Sequence, residues 1–375
     1  MKKKIAIIGA GIGGLTLANL LQKNENFEFI IYEKEETLNL KEGFGIQLAV
    51  NSVSILNQIG LRSLSKSEIY NPIKLDFYSD EDKLCDLDLT KFNNETDKYT
   101  TLKRSSLIKF LKNKLFSNLI RFNKTIKSVK QDRDTLKIKF NDGSSEDVDH
   151  LVVSDGLFSH TKSIIEKKSF KPNYYGAVAV RTEINAKNVP EFKTENISLF
   201  MSSKAHLVSY PVNDNGDTNQ VCILRKNLNE KKSIEQLLNE KFFNQKKYLS
   251  NLLNGDLKSW SIYTSSKPVK SNLENVFYIG DAFYAFPPTL AQGASQSIES
   301  AKELYDLLVE NKQNIENIYF EKRLQKIIMV DNRSRLNYFA FHFSNTFLKM
   351  FRNQFFKRLI KSKIFTNRYL GKIYN

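Results

Sequence analysis

Gly9-Ala10-Gly11-Ile12-Gly13-Gly14, near the start of the chain, and the acid Glu33 further on have the types and spacing to hold a pyrophosphate and a ribose. In such an arrangement Gly9 permits a tight turn, Gly11 lets the backbone approach the diphosphate, and Gly14 lets a helix pack closely on a sheet. The amides opening that helix, those of Ile12 and Gly13 among them, face the phosphate charge. Glu33 lies nineteen residues beyond Gly14. There its carboxylate can accept from both ribose hydroxyls and repels a 2′-phosphate. Lys34 follows it and joins the cofactor-binding candidates. The chemistry expected is binding of an adenine dinucleotide, FAD or NAD, with bound NADP disfavoured.

Those residues need a strand, a helix and a second strand to position them, and the flanking apolar runs at 5–8 and 27–32 supply both strands. Beyond them, 51–60 reads as a helix, and the alternation across 70–100 reads as strands of a second sheet. An amphipathic helix opens at Lys103-Arg104-Ser105, with Leu107, Phe110, Leu111 and Leu115 on one face. The runs 136–140 and 148–153, joined by Asn141-Asp142-Gly143, read as a hairpin returning to the main sheet. Residues 174–226 are again strand-rich, and the dinucleotide pattern resumes at Val276-Phe277-Tyr278-Ile279. The fold class expected is therefore α/β: a Rossmann-like FAD- or NAD-binding domain with an inserted β-sheet substrate domain and a C-terminal helical segment. The boundaries expected are 1–70, 101–170 and 265–320 for the cofactor domain, 71–100 and 171–264 for the substrate domain, and 321–375 for the helical segment.

A 375-residue chain with 41% hydrophobic and 26% charged residues has ordinary globular composition and room for a sizeable core. Its two cysteines, Cys85 and Cys222, offer neither a disulfide framework nor metal-ligand spacing, which fits a reducing cytosol and no metal. Lys2-Lys3-Lys4 before an apolar run imitates a secretory signal, but the glycines that follow weaken such a helix and are better explained by a dinucleotide turn. The formal charge of +16 is concentrated at the end: residues 332–375 hold ten Lys and Arg and no Asp or Glu. Phe339, Phe341, Phe343, Phe347, Phe351, Phe355, Phe356 and Phe365 are interleaved with them. Two readings stand: helices packing a Phe face on the core beneath a solvated basic face, or helices in peripheral contact with an anionic membrane. Nucleic acid is not expected, because no recognised nucleic-acid-binding motif accompanies the charge. The location expected is cytoplasmic, with peripheral contact at the inner face of a membrane left open.

Two later segments narrow the class. Leu151-Val152-Val153-Ser154-Asp155-Gly156-Leu157-Phe158-Ser159 resembles a DG motif, and Gly280-Asp281-Ala282 with Pro288, Gln292-Gly293 and Glu299 resembles a GD motif. Both are motifs of the single-component flavin monooxygenases of the para-hydroxybenzoate hydroxylase fold. Shorter matches agree: Gly45-Ile46-Gln47-Leu48 with Asn51, then Arg104, Arg181, Tyr210-Pro211-Val212 and Trp260. The resemblance covers roughly residues 1–340 and looks nearest to the salicylate, kynurenine and ubiquinone-pathway hydroxylases.

That resemblance implies bound FAD, NADH or NADPH as a transient donor, and molecular oxygen. Oxygen would add at flavin C4a, and the hydroperoxide would transfer one atom to an aromatic or quinone-like small molecule. Asp281 would accept from ribityl hydroxyls, and Arg104 would place a cation near the pyrophosphate or ribityl chain. Asp155 and Gly156 would touch flavin and visiting nicotinamide, Gly45 would belong to the cofactor site, and Gln47 would reach the flavin or the substrate. Gln292, Gly293, Ala294 and Ser295 would lead a helix N-terminus toward the flavin pyrimidine edge, where it favours the charge of the reduced ring. Gly280 shapes the turn, and Pro287 and Pro288 stiffen the loop beside the flavin. Arg181, Tyr210, Tyr284 and Pro288 are the candidates at the reacting ring.

The chain departs from the family pattern at Lys162, where an arginine is usual, at Tyr284 for a common histidine, and at Ser295 for a common asparagine. His150, His160, His206 and His342 lie outside the motifs and are expected to be structural or exposed. Two alternatives remain: a flavin reductase or dehydrogenase without oxygen insertion, and a weakly catalytic membrane-associated flavoprotein. With Trp260 the only tryptophan, a flavin halogenase is disfavoured.

Overall fold

A computed structural model describes residues 2–38, 40, 43–185, 195–240, 251–253 and 255–374. Its centre is a five-stranded sheet in the order β18-β12-β1-β2-β8, formed by β1 (Lys3–Ile8), β2 (Phe27–Tyr32), β8 (Ile120–Arg121), β12 (His150–Val153) and β18 (Val276–Tyr278). All four pairings are parallel. Parallel sheets are covered on both faces, so their strands read as unbroken apolar runs. Ile5, Ala6, Ile7 and Ile8 in β1 and all of β12 are accordingly buried. Helix α1 (Ile12–Leu21) covers one face with Leu15, Leu17 and Leu21 fully enclosed, each burial stabilising by about 1.5–3 kcal/mol.

Beside this layer runs a short sheet, β3 (Gly45–Leu48), β7 (Thr100–Lys103) and β4 (Ile69–Tyr70), flanked by α2 (Val50–Ile59) and α3 (Arg104–Lys114). A second three-stranded sheet joins β9 (Ile126–Asp132), β10 (Thr135–Phe140) and β11 (Ser145–Val148). The expected hairpin thus divides at Asp149. Residues up to Val148 pair antiparallel with β10, and His150 onward pairs parallel with β1. Asp149 marks the change by accepting from the Lys4 amide at 2.7 Å.

The third component is a seven-stranded sheet, β17-β13-β16-β15-β14-β5-β6. Its strands are β5 (Lys74–Ser79), β6 (Asp82–Asp88), β13 (Asn173–Asn185), β14 (Ile197–Met201), β15 (Ala205–Pro211), β16 (Asp217–Arg225) and β17 (Lys258–Thr264). Ile69 and Tyr70 pair with β7 instead, so the start of the 70–100 stretch belongs to the short sheet. Helix α4 (His160–Ile165) follows β12, and α5 (Ile234–Leu238) packs its Leu237 and Leu238 beside the larger sheet. Helix α6 (Gly293–Glu310) returns over the central sheet with Ile298, Ala301, Leu304 and Leu308 buried. Helices α7 (Ile315–Phe341) and α8 (Thr346–Leu359) then cross to the seven-stranded sheet. No helix among the described residues is long and apolar enough to cross a membrane.

Candidate active site

The glycine turn, the DG segment and the GD segment meet at the ends of β1, β12 and β18. Gly9 takes φ +100°, and a Cβ there would stand 2.7 Å from the Ser154 carbonyl oxygen. The Ser154 hydroxyl donates to the Ile8 and Gly9 carbonyls at 2.8 and 2.9 Å. A Cβ on Gly14 would collide with the Gly9 carbonyl, and one on Gly13 would lie 3.4 Å from the Ile279 side chain. Helix α1 therefore sits this close to the sheet only because position 14 is glycine. No side chain caps its first turn, so the amides of Ile12, Gly13 and Gly14 have no partner within the helix and suit a diphosphate. Glu33 accepts from the Ala10 amide at 2.7 Å and the Glu35 amide at 3.2 Å. Its carboxylate is thereby fixed beside the turn, while Lys34 extends outward, 70% exposed, toward Glu35.

A cavity of about 1220 Å³ opens between the central layer and the seven-stranded sheet. Gly45, Gln47, Arg104, Asp281, Pro288, Gly293 and Ala294 line it from the cofactor side, and Arg181, Tyr210 and Trp260 from the large sheet. Asp281 is exposed to this cavity, not to bulk solvent. Enclosure by the protein pushes its carboxyl up to about 6, and the Arg104 guanidinium offsets part of the rise. Among the described residues Asp281 has no hydrogen-bond partner, so it waits for donors such as ribityl hydroxyls. Burial also lowers the pKa of Arg104, with Asp281 opposing. An unpartnered carboxylate beside a desolvated cation, an uncapped helix start and a glycine-rich turn fit FAD.

The other candidates divide by orientation. Gln47 accepts from the Tyr99 hydroxyl at 2.8 Å. Gly45 is wedged against Asn219, its amide donating to Asn219 Oδ1 at 2.8 Å. Gly45 O accepts from Tyr210 Oη at 2.6 Å and from Arg181 Nη1 at 3.3 Å. Burial pushes the Tyr210 phenol up to about 12. Tyr210 is thus a committed donor and a poor base at neutral pH. Asp155 accepts from the Thr161 amide at 3.3 Å through Oδ2, while its buried Oδ1 lacks a partner. Gly156 follows at φ +86° and Gly280 at φ +58°.

Three candidates point elsewhere. Tyr284 is buried in the core beside Asp331 and Arg335 and is not among the cavity-lining residues. Ser295 contacts the Ser52 hydroxyl at 2.9 Å, on α2. Gln292 accepts from Gln296 Nε2 at 3.2 Å. Each helical step turns about 100°, so the side that brings Gly293 and Ala294 to the cavity takes Ser295 away from it. Only main-chain groups of Gln292 and Ser295 remain for a cofactor. Lys162 is buried and donates to the Ala282 carbonyl at 2.8 Å, tying α4 to the GD loop.

His206, expected to be structural or exposed, lines the cavity. Its Nδ1 lies 2.8 Å from His342 Nε2, and Arg225 Nε donates to His342 Nδ1 at 3.3 Å. Burial holds both rings neutral, His206 down at about 3. With His342 Nδ1 accepting, its Nε2 carries the proton and donates to His206, which leaves the His206 proton on Nε2. The strand alternation that put Tyr210 on the cavity face also puts His206 and Val208 there.

The C-terminal phenylalanines also divide. Phe341 is buried and Phe356 packs on Phe77 with ring centroids 5.3 Å apart, whereas Phe339, Phe347, Phe351 and Phe355 are exposed. Among the described residues no cluster of three or more His, Cys, Asp or Glu could hold a metal.

A glycine turn on a parallel sheet, opening toward a cavity that holds an unpartnered carboxylate, marks a flavoprotein. Residues 2–314 match the family described as FAD binding domain, and the chain belongs to that family. It is an FAD-dependent monooxygenase of the para-hydroxybenzoate hydroxylase fold. It is 24% identical to 3-amino-4-hydroxybenzoate 2-monooxygenase of Streptomyces cremeus, over 90% of this chain and 88% of the relative. It is 24% identical to 6-hydroxynicotinate 3-monooxygenase of Pseudomonas fluorescens, over 82% of this chain and 83% of that one. Its fold is similar to that of Klebsiella pneumoniae HpxO complexed with FAD and uric acid, with TM-score 0.84 at 17% identity over 99% and 96% of the two chains. A salicylate hydroxylase substrate complex gives TM-score 0.77 at 16% identity over 100% and 98%.

Proposed function

We propose that the protein uses NADH or NADPH and molecular oxygen to hydroxylate an aromatic or conjugated small molecule, with residues 71–100 and 171–264 acting as the substrate domain. The observation that carries this reading is the single cavity in which Asp281, Arg104 and Gly293 face Arg181 and Trp260. Hydride uptake and oxygen activation are the chemistry FAD supplies when bound. The chain's own residues bind, orient and exclude water. Arg181, beside the Phe44 ring at 5.9 Å and with one nitrogen anchored on Gly45, keeps the rest of its guanidinium for an oxygen of the substrate. Trp260 and Phe44, 5.2 Å apart edge to face, offer an aromatic wall for the ring. The leucine, valine and phenylalanine lining keeps the reacting centre dry. The similar enzymes are named for hydroxybenzoate and hydroxynicotinate, both rings bearing an electron-donating oxygen. Purified flavoprotein should oxidise NAD(P)H faster when a ring of this kind is added, and product made under isotopically labelled oxygen should carry the label. Accelerated oxidation with an unlabelled product would assign a reductase instead.

We also propose peripheral contact with an anionic bilayer. The observation favouring it is the solvent-facing stripe of α8, where Phe347, Met350, Phe351 and Phe355 recur at helical spacing beside exposed Lys357 and Arg358. Co-sedimentation with phosphatidylglycerol vesicles, absent with phosphatidylcholine and lost in Phe347→Ser/Phe351→Ser, is the expected result. Equal recovery in the supernatant with both lipids would refute it.

A further inference from the structure

Four cavity-lining residues lie in one row across the large sheet. Ser209 pairs with Ser198, Ile197 with Leu75, and Leu75 with Leu87, so Tyr210, Ile197, Leu75 and Leu87 follow one another over β15, β14, β5 and β6. Three strand spacings make that row about 14 Å long. A second row, Val208, Leu199 and Phe77, runs alongside. Phe341, Phe356 and Ile360 from the C-terminal helices line the opposite wall.

Apart from His206, beside Val208, the polar side chains near this wing are engaged within the protein. Arg352 is spent on Ser79 Oγ at 2.9 Å and the Ala340 carbonyl at 3.3 Å. Tyr369 donates to Asn337 Oδ1 at 2.7 Å, and Thr366 to the Ser362 carbonyl at 3.1 Å. At the other end of the row Tyr210 and Arg181 meet at the Gly45 carbonyl, with Gln47 beside Tyr210. The wing also has a way in: Phe351 and Phe355 line the cavity yet are 65% and 50% exposed.

Resting on the hydroxylase reading above, we propose that the substrate carries an apolar chain, alkyl or isoprenoid, beside the ring that is oxidised. The ring lies at the Gly45 end, and the chain runs from Tyr210 toward Leu87 under the C-terminal helices. A substrate of one ring alone would leave this wing without an occupant.

The test uses the FAD-loaded protein and a series of n-alkyl 4-hydroxybenzoates from methyl to octyl, with binding read by calorimetry and by perturbation of the flavin absorbance. Each methylene taken into the wing should tighten binding about four-fold, the value of roughly 0.8 kcal/mol per buried CH₂. Leu75→Trp and Leu199→Trp, which fill the wing, should remove the gain while the methyl ester binds as before. Methyl and octyl esters binding equally in the unaltered protein would overturn the proposal whether or not the variants fold. So would a gain that survives both tryptophans, since the chain would then lie elsewhere. If no ester binds while FAD is held, the chain proposal falls, and the labelled-oxygen experiment decides the hydroxylase reading separately.

Discussion

Replacing Asp281 by alanine probes the cofactor site most directly. Its carboxylate looks into the cavity with Arg104 as the neighbouring charge. A hydrogen bond to a charged acceptor contributes about 1.5–3 kcal/mol, so Asp281→Ala should weaken FAD binding by roughly 10- to 150-fold. The pH dependence sharpens the expectation. Enclosure raises the carboxyl from 3.8 to about 6 in the folded chain. Without FAD the folded state therefore holds this proton more tightly than the unfolded state. That contribution to stability is complete below pH 3.8 and is lost as pH rises through about 6. FAD affinity should run the opposite way, because the ionised carboxylate accepts on both oxygens. It should fall as the solution is acidified below about 6, where the proton returns. Quenching of FAD fluorescence on titration with flavin-free protein, across the acid to neutral range, measures the affinity and its pH dependence. Asp281→Ala should bind weakly and without the acid decline. Binding within about two-fold of the unaltered protein, with the same pH profile, would refute the placement of Asp281 on the ribityl hydroxyls.

Lys162→Met should leave the Ala282 carbonyl without its donor, lowering unfolding free energy by about 1–3 kcal/mol in urea titrations and loosening retained flavin. Ser295→Ala breaks the contact with Ser52 and should cost about 1 kcal/mol of stability, with FAD affinity unchanged in the same fluorescence titration. Tyr284→Phe should leave kcat within about two-fold, because the phenol faces Asp331 and Arg335 and not the cavity; a ten-fold loss would return it to the site.

What the amino-acid order made legible was whatever carries a local signal. The apolar run of β1 followed by the glycine turn is one such signal, and the run ending at Tyr278 before Gly280-Asp281 is another. Asp149 was harder: only Asp149-His150 separates Val148 from Leu151-Val152-Val153, and the contact that marks the switch of partner is with the Lys4 amide, far away in the chain. His206 carried no local sign of its role, because its partner His342 comes 136 residues later. Helical rotation could have separated Ser295 from Ala294 in advance, since one residue moves a side chain a quarter turn or more. The C-terminal helices show the limit of periodicity. A stripe of phenylalanines predicts an apolar face but not its direction, and α8 buries Arg352 while Phe347 and Phe351 face outward.

The central position of β1 has a cost during synthesis. Ile5 pairs with His150, 145 positions later, so at 5–20 residues per second the nascent strand keeps one open edge for roughly 7–30 s. An apolar strand with an unpaired edge invites pairing with other chains, and flanking charges discourage it. Lys2, Lys3 and Lys4 stand at that strand's entrance. The basic cluster that imitates an export signal thus supplies charge of the kind that discourages pairing at an open edge.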